Sequence, residues 1–215
     1  MILYTKHIWQ SDRYFNFQYL LYFPPDYDAT KSYPLVFFLH GAGERGEDLE
    51  TVARYGYMKN VKDGENYPFI FAAPLCPQNM YWGALNESLE AFLDFITETL
   101  PVDLDRVYLT GLSMGGTGTW MLAMACPQKF AAVVPVCGTG ICWNAGALKN
   151  LPIYIYHGDC DDIVPITESI NMLSAINRQG GNAKIKICYG VGHNAWDTAY
   201  NDPELLDWML AQKKR

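Results

Sequence analysis

Residues 107–116 read Val-Tyr-Leu-Thr-Gly-Leu-Ser-Met-Gly-Gly, an apolar run that ends in a glycine-flanked turn around Ser113. An apolar segment of helical character follows and reaches Cys126. The stretch therefore predicts a strand, a tight turn and a helix. The turn is expected to strain the backbone of Ser113, and a side chain at Gly111 or Gly115 would collide with a neighbouring strand or helix.

Further apolar runs without polar alternation lie on both sides of this stretch, and they are typical of strands covered on both faces. They are Leu35–Leu39, Phe69–Ala73, Ala131–Val136, Ile153–Tyr156 and Ile185–Tyr189. Helical spacing appears between them, from Leu89 to Leu100 before Pro101, and again after Thr167 with Ile170, Leu173 and Ile176 on one face.

The alternation of strands and helices predicts βαβ units, and hence a mostly parallel sheet with helices on both faces. Two aromatic-rich runs at the start, Tyr4–Gln10 and Phe15–Phe23, predict an antiparallel hairpin. The chain shows no repeat, linker or long insertion, so residues 1–215 are expected to form one domain without a large lid.

The composition and the net charge indicate which classes of protein and of partner fit this chain. Of 215 residues, 50% are hydrophobic and 18% are charged, which is typical of a folded globular domain. The formal charge of −7 disfavours nucleic acid and anionic lipid as partners. No apolar stretch approaches the ~20 residues of a membrane span, and the polar start lacks a signal-peptide pattern, so a cytoplasmic location is expected. The six cysteines are then expected to be reduced, with a Cys137–Cys142 bridge as the alternative.

A serine nucleophile needs a base, a group that orients the base, and donors for a developing oxyanion. His193 lies in a glycine-containing loop after the last predicted strand, where its ring can reach back to Ser113. Three carboxylates, Asp159, Asp161 and Asp162, follow the strand Ile153–Tyr156 and offer the orienting group. The same cluster also allows a calcium or zinc site, although it lacks the EF-hand glycine and terminal glutamate and has no H-E-x-x-H partner.

Small residues follow the strand Leu35–Leu39 in the order His40-Gly41-Ala42-Gly43, so their backbone amides can approach a ligand closely. One alternative is that His40 only caps a strand and the glycines only make a turn. A second alternative is that the glycines around Ser113 only tighten a junction between a strand and a helix.

These residues together resemble the α/β-hydrolase superfamily, in particular its phospholipase/carboxylesterase-like branch, whose esterases are often labelled predicted peptidases. The resemblance covers nearly the whole chain. It is carried by the segments 33–35 and 40–46, by 73–78 with Trp82, and by 111–116, 157–165 and 192–196. The segment His157-Gly158-Asp159-Cys160-Asp161 is similar also to acyl-protein thioesterases.

The resemblance implies an α/β-hydrolase fold and a catalytic triad of Ser113, Asp161 and His193, in the chain order of that superfamily. It places the acid at Asp161, and it leaves Asp159 and Asp162 to bind loop amides or face solvent. It implies that Ser113 lies on a nucleophile elbow and that the backbone amides of Ala42 and Met114 form the oxyanion hole. Hydrolysis of carboxylic esters then proceeds through an acyl-enzyme, without a cofactor or a metal.

Trp82, Trp143 and Trp196 are the predicted substrate-binding walls, and aromatic walls favour apolar or aromatic acyl and alcohol groups. The main hypothesis is a carboxylesterase for short-chain or aromatic, cinnamoyl-like esters. For each tryptophan, packing in the core is the alternative. Glu44 and Arg45 are expected to pair and hold the oxyanion loop, or else to bind a polar substrate group.

Several functions stay open at this point. An acyl thioesterase or a peptidase would use the same residues, whereas a metal-dependent hydrolase would use the aspartate cluster, and a catalytically silent binding module would keep the fold alone. The expected partner is a small-molecule ester, and a second copy of the chain could complete the open cleft as a homodimer.

Overall fold

A computed structural model describes residues 4–214. Eight strands form one sheet in the order β1-β2-β4-β3-β5-β6-β7-β8. The strands are β1 (Tyr4–Trp9), β2 (Phe17–Tyr22), β3 (Tyr33–Leu39), β4 (Ile70–Pro74), β5 (Val102–Leu112), β6 (Ala132–Val136), β7 (Ile153–Gly158) and β8 (Ala183–Cys188). The β1–β2 and β2–β4 pairs are antiparallel, and every other pair is parallel. The predicted hairpin and mostly parallel sheet are confirmed.

Helices cover both faces of the sheet, as predicted. They are α1 (Gly56–Lys62), α2 (Asn86–Thr99), α3 (Met114–Ala125), α4 (Thr167–Arg178), α5 (Ala195–Ala199) and α6 (Pro203–Leu210). One core cluster unites buried residues of α2, α3 and α4, and the other unites those of α1, α5 and α6.

The two cores follow from the two-residue period of an extended strand. On β3, Leu35, Phe37 and Leu39 belong to the first core, whereas Val36 and Phe38 belong to the second. All five side chains are buried, which explains why this strand appears in the sequence as a continuous apolar run.

Two elements differ from the sequence prediction. Strand β5 begins at Val102, because Val102 pairs with Tyr33 of β3 ahead of a register shift, after which pairing resumes between Val107 and Leu35. Helix α4 buries Met172, Ala175 and Ile176, whereas Ile170 is 41% exposed. The sequence prediction used residues spaced three apart, and a row with that spacing moves gradually around a helix of 3.6 residues per turn. The buried side of α4 instead follows the i, i+3, i+4 spacing of Met172, Ala175 and Ile176.

The segments that connect the strands and helices leave the carboxyl ends of the parallel strands without a covering domain. The two longest, residues 40–55 and 137–152, fold as loops with short 3-10 segments. In the part of the chain that the structure describes, no connection forms a separate lid. No helix among residues 4–214 is long and apolar enough to cross a membrane. All six cysteines are free thiols, so the alternative Cys137–Cys142 bridge does not form.

The junction between β3 and α3 depends on Gly115, where an added Cβ would lie 1.9 Å from the backbone oxygen of Leu39. A backbone atom cannot swing aside, so Gly115→Ala must push α3 away from the sheet. We expect Gly115→Ala to lower the free energy of unfolding by about 3 kcal/mol or more, or to prevent folding. Thermal or urea unfolding measures the effect.

Gly146→Ala is the matched control, because the nearest atom to its added Cβ is 4.0 Å away. Its stability is expected to stay within about 0.5 kcal/mol of the unaltered chain. Equal stability of the two variants would contradict the close approach of β3 and α3.

Candidate active site

Ser113 occupies the turn between the last residue of β5 and the first residue of α3, at the carboxyl edge of the sheet. Its φ of 54° and ψ of −117° are unusual for a residue with a side chain, and Cys137 is the other non-glycine residue of positive φ within residues 4–214. Such a conformation costs about 1–3 kcal/mol, so the surrounding packing must impose it. An added Cβ at Gly111 would meet backbone atoms of Leu39 and Gly115 within 2.7 Å, as expected from the sequence.

His193 is the direct partner of Ser113. The distance from Ser113 Oγ to His193 Nε2 is 2.7 Å, within hydrogen-bond range. The loop that carries His193 packs on the end of β7, where an added Cβ at Gly158 would lie 2.2 Å from the Val191 oxygen. Glycine at position 158 therefore lets the loop after β8 approach the strand that precedes the acidic cluster.

Asp161 holds the other side of the imidazole, with its Oδ2 2.7 Å from His193 Nδ1. Its Oδ1 accepts hydrogen bonds from the amides of Ile163 at 3.0 Å and Val164 at 2.9 Å. Burial acts to raise the pKa of Asp161, but the hydrogen bonds from His193, Val164 and Ile163 outweigh it and lower the pKa. The ionised carboxylate therefore accepts from Nδ1–H, which leaves Nε2 free to accept the serine proton.

The other two carboxylates of the cluster face away from this chain of hydrogen bonds. Asp159 accepts from the amide of Gly190 at 2.7 Å, and Asp162 is exposed. One of them binds a loop amide and the other faces solvent, as the resemblance implied.

The loop after β3 lies directly beside the serine, since an added Cβ at Gly41 would come within 3.6 Å of Ser113 Cβ. Ala42 is the first residue of a short 3-10 helix, and Met114 is the first residue of α3. The amide of a first helical residue has no carbonyl partner within its own helix. The N–H groups of Ala42 and Met114 are therefore not used by the helices that they begin.

His40 supports this loop from inside the protein. Its Nδ1–H donates to the oxygen of Gly41 at 2.7 Å, and its Nε2 accepts from the amide of Cys76 at 2.9 Å. Burial lowers the pKa of His40 to about 4, so the ring is neutral and its two nitrogens keep these different roles.

Trp82 was predicted to line the substrate site, and the structure places it in the core instead. It is 1% exposed, and its indole N–H donates to the oxygen of His40 at 2.9 Å. A side chain without accessible surface offers none to a substrate, so Trp82 supports the loop from behind.

The predicted pairing of Glu44 with Arg45 is also corrected. Glu44 is buried, accepts from the amide of Gly41 at 3.1 Å and forms an ion pair with Arg54 at 3.5 Å. Arg45 donates to the oxygen of Ala42 at 3.0 Å and to that of Met80 at 3.2 Å. Both side chains hold the loop, as expected, but through separate partners.

The other two predicted wall residues keep accessible surface. Trp196 is partly buried against the second core, its ring meets that of His193 edge-on at 5.3 Å, and the ring of Tyr55 lies 5.4 Å from that of Trp196. Trp143 is 87% exposed in the loop after β6. Tyr55 belongs to a segment without a clear periodic pattern, which explains why sequence reasoning missed it.

Cys137, Asp161 and His193 form the group of possible metal-ligand atoms found among the described residues, all within 4.8 Å of one another. Burial raises the pKa of the Cys137 thiol well above its usual range, so the thiol keeps its proton and donates to the oxygen of His193 at 3.3 Å. Asp161 and His193 are bonded to each other. This donor set suits a hydrogen-bond chain better than a divalent cation, because a cation held by Cys137 would need its sulfur as a thiolate.

A cavity of about 680 Å³ lies at the amino ends of β6 and β7, lined by residues such as Phe130, Pro152 and Lys214. Ser113 is at the opposite, carboxyl end of the sheet. The cavity is therefore separate from the hydrogen-bond chain.

Two further side chains contact the site without having been predicted as members of it. Nε2 of His157 lies 3.2 Å from Oδ2 of Asp161, and Nδ1 of His157 lies 2.7 Å from Oγ of Ser169. The available signal was the position of His157, which directly precedes the acidic loop in the sequence.

Three comparisons with known proteins agree with this architecture. The model of the dienelactone hydrolase family matches residues 76–202. The probable feruloyl esterase C of Aspergillus terreus is 29% identical over 168 residues, which cover 76% of this chain and 62% of that protein. A solved thermostable esterase is 27% identical with a TM-score of 0.87, covering 98% of this chain and 63% of that one.

A solved ferulic acid esterase shares the fold, with a TM-score of 0.75 at 19% identity over 96% of this chain and 97% of that one. The α/β-hydrolase fold implied by the sequence is thus confirmed. The chain spans about three fifths of the length of the feruloyl esterase C and of the thermostable esterase.

Proposed function

The chain belongs to the dienelactone hydrolase family of α/β-hydrolases, and from that premise we propose that it is a serine carboxylesterase acting through an acyl-enzyme on Ser113. The observation that carries the proposal is the unbroken hydrogen-bond chain from Asp161 through His193 to Ser113, with 2.7 Å at each of its two contacts. This is the arrangement in which a carboxylate orients a neutral imidazole and the imidazole activates a hydroxyl.

In the proposed reaction His193 Nε2 takes the proton of Ser113 as Oγ attacks the ester carbonyl carbon. The tetrahedral intermediate collapses, the carbon–oxygen bond to the alcohol breaks, and His193 returns the proton to that leaving oxygen. Water then repeats the two steps on the acyl-enzyme and releases the acid. Asp161 stays ionised throughout and stabilises the imidazolium that forms on His193.

The turn at Ser113 is proposed to act as a nucleophile elbow, and the amides of Ala42 and Met114 as the oxyanion hole. The positive φ of Ser113 supports the first assignment, because the elbow is a strained strand-to-helix turn. The position of both amides at the start of a helix supports the second. Each such donor typically contributes ~3 kcal/mol to stabilising the transition state.

The proposed substrates are short-chain or aromatic, cinnamoyl-like esters. Two features support an aromatic acid: several relatives of the chain are feruloyl esterases, and aromatic side chains lie beside the base. The partly buried rings of Trp196 and Tyr55 lie next to each other beside His193, and Trp143 is exposed in the loop after β6. A planar aromatic acid gains contact area on such rings at low entropic cost.

Thioester and peptide substrates remain the alternatives, because the same three residues would cleave either bond. A cytoplasmic location and a homodimer that completes the cleft stay predictions from the sequence.

A substrate panel tests the proposal. The purified chain is assayed on p-nitrophenyl acetate, a cinnamoyl ester, an acyl thioester and a peptide, each with and without EDTA. We expect turnover of the two oxygen esters with the higher kcat/KM on the cinnamoyl ester, and no change with EDTA, because the proposed chemistry uses only side chains and amides. Turnover of peptides alone would contradict the esterase, and loss of activity in EDTA would favour a metal-dependent hydrolase.

A further inference from the structure

His157 is a buried histidine whose two ring nitrogens both have partners. Its side chain is fully buried at the end of β7, four residues before Asp161. Nε2 lies 2.8 Å from the oxygen of Val164 and 3.2 Å from Oδ2 of Asp161, and Nδ1 lies 2.7 Å from the hydroxyl of Ser169. The ring thus joins β7, the acidic loop and the first turn of α4.

The partners determine where the ring carries a hydrogen. The oxygen of Val164 can only accept, so Nε2 of His157 must carry a hydrogen and donate it. Nε2 also lies 3.2 Å from Oδ2 of Asp161, so the ring N–H that donates to Val164 is in close contact with the carboxylate. The hydroxyl of Ser169 holds Nδ1, and Ser169 is itself fully buried.

The carboxylate of Asp161 therefore accepts three hydrogen bonds and has a further N–H group in close contact. The amides of Ile163 and Val164 donate to Oδ1, Nδ1–H of His193 donates to Oδ2, and Nε2 of His157 lies 3.2 Å from Oδ2. An N–H group this close to a buried carboxylate favours its ionised form. Rotation of the carboxyl group would break every one of these contacts at once.

We propose that His157 is a positioning residue that fixes the carboxylate of Asp161 toward His193, and that Ser169 fixes the ring of His157 in turn. The proposal rests on the proposed function, in which Asp161 orients the base of Ser113. It extends the chain of contacts to five side chains: Ser169, His157, Asp161, His193 and Ser113. Each link is a hydrogen bond except the 3.2 Å contact between His157 and Asp161.

Two substitutions separate the contacts of His157. Asn at position 157 keeps a polar atom near Nδ1, toward Ser169, but has none near Nε2. Gln carries its amide nitrogen near Nε2, with two hydrogens that can reach the oxygen of Val164 and Oδ2 of Asp161. His157→Asn therefore removes the contact with the acid, and His157→Gln keeps it.

We expect His157→Asn to lower kcat about 10- to 100-fold on the best ester substrate, with KM within about twofold, because a small misplacement of a catalytic group has effects of this size. The acid limb of the pH profile of kcat/KM should move up by about half a pH unit, because a carboxylate without this neighbouring N–H group is more basic and stabilises protonated His193. His157→Gln should stay within about threefold of the unaltered chain and keep its acid limb.

Tyr22→Phe is the matched control for a loss of buried hydrogen bonds. The hydroxyl of Tyr22 donates to the oxygen of Tyr67 at 3.1 Å and accepts from its amide at 2.8 Å, on β2 near the sheet edge. This variant should show a lower Tm with an unchanged pH profile. Equal losses in His157→Asn and His157→Gln, or an acid limb that stays in place in His157→Asn, would overturn the positioning role.

A second variant covers the case in which His157→Asn does not fold. Ser169→Ala keeps the ring of His157 and removes the group that holds Nδ1, so the acid limb should move in the same direction by a smaller amount. An unmoved acid limb in folded Ser169→Ala would then overturn the proposal.

One measurement needs no substrate and separates this proposal from the proposed function. The proton shared by His193 Nδ1 and Asp161 is expected to give a downfield resonance in the proton NMR spectrum. His157→Asn should shift this resonance, and His157→Gln should leave it where the unaltered chain has it, whether or not the chain turns over esters. An unshifted resonance in His157→Asn overturns the positioning role, whereas absent ester turnover in the unaltered chain overturns only the esterase.

Discussion

Ser113→Ala is expected to lower kcat on ester substrates by a factor on the order of 10⁶. The hydroxyl is the group placed to attack the carbonyl, and within residues 4–214 no other hydroxyl hydrogen-bonds His193. The fold should be unaffected, because alanine keeps the Cβ and so meets the positive φ at position 113 with the same strain as serine. Steady-state kinetics, with unfolding curves recorded in parallel, measure both quantities.

Labelling with a fluorophosphonate probe gives an independent readout of the same substitution. The unaltered chain should form one adduct, on Ser113, and Ser113→Ala should form none. Ser88→Ala is the matched control, because Ser88 is a buried serine on α2 that accepts from the amide of Phe15 at 3.0 Å, away from the site. It should keep its activity and its label. No adduct on the unaltered chain, or appreciable activity in Ser113→Ala, would exclude a serine mechanism.

Asp161→Asn is expected to lower kcat about 10⁴-fold, and the local hydrogen bonds give the reason. The amides of Ile163 and Val164 both donate to Oδ1, so an asparagine at position 161 must turn its own oxygen toward them. Its NH₂ group then faces Nδ1 of His193 and donates to it. The imidazole is held in the wrong tautomer, with its hydrogen on Nε2, where it cannot accept the proton of Ser113.

The comparison with Asp162→Asn decides which aspartate orients the base. Asp162 is the next residue in the chain and is exposed, so its substitution makes the same change of charge beside the site without touching His193. We expect Asp162→Asn to stay within about threefold of the unaltered chain. A larger loss in Asp162→Asn than in Asp161→Asn would overturn the assignment of the acid.

Much of the fold was predictable because its signals are local. The apolar runs of β3 and β6 are buried on both faces, and this burial requires no knowledge of a particular neighbour. The prediction was wrong where the start of a strand depended on a neighbouring strand: β5 extends back to Val102 because β3 pairs with it there. The packing of α4 on the sheet likewise decided which stripe of the helix is buried.

The candidate site likewise combines features that local sequence predicts with features that depend on tertiary packing. The glycines around Ser113 identify the turn, and chain order points to His193 and the acidic loop, which the structure brings within hydrogen-bond distance across 80 and 32 residues of sequence. Their catalytic roles stay predictions until the substitutions are measured. The side-chain contacts that hold the loop after β3 could not be predicted from the sequence, since the partner of Glu44 is Arg54 and not the adjacent Arg45.

The sequence by itself determined the mostly parallel sheet, the strained turn at Ser113 and the residue types that meet there, because period, glycine placement and chain order are properties of short segments. The tertiary structure alone decided that Trp82 is buried behind His40, that Arg54 pairs with Glu44, and that His157 contacts the acid. The physical reason is that these contacts join side chains whose distance depends on how the loops pack on the sheet. Around Ser113, local patterns predicted the hydrogen-bond chain, and only packing revealed what holds it in place.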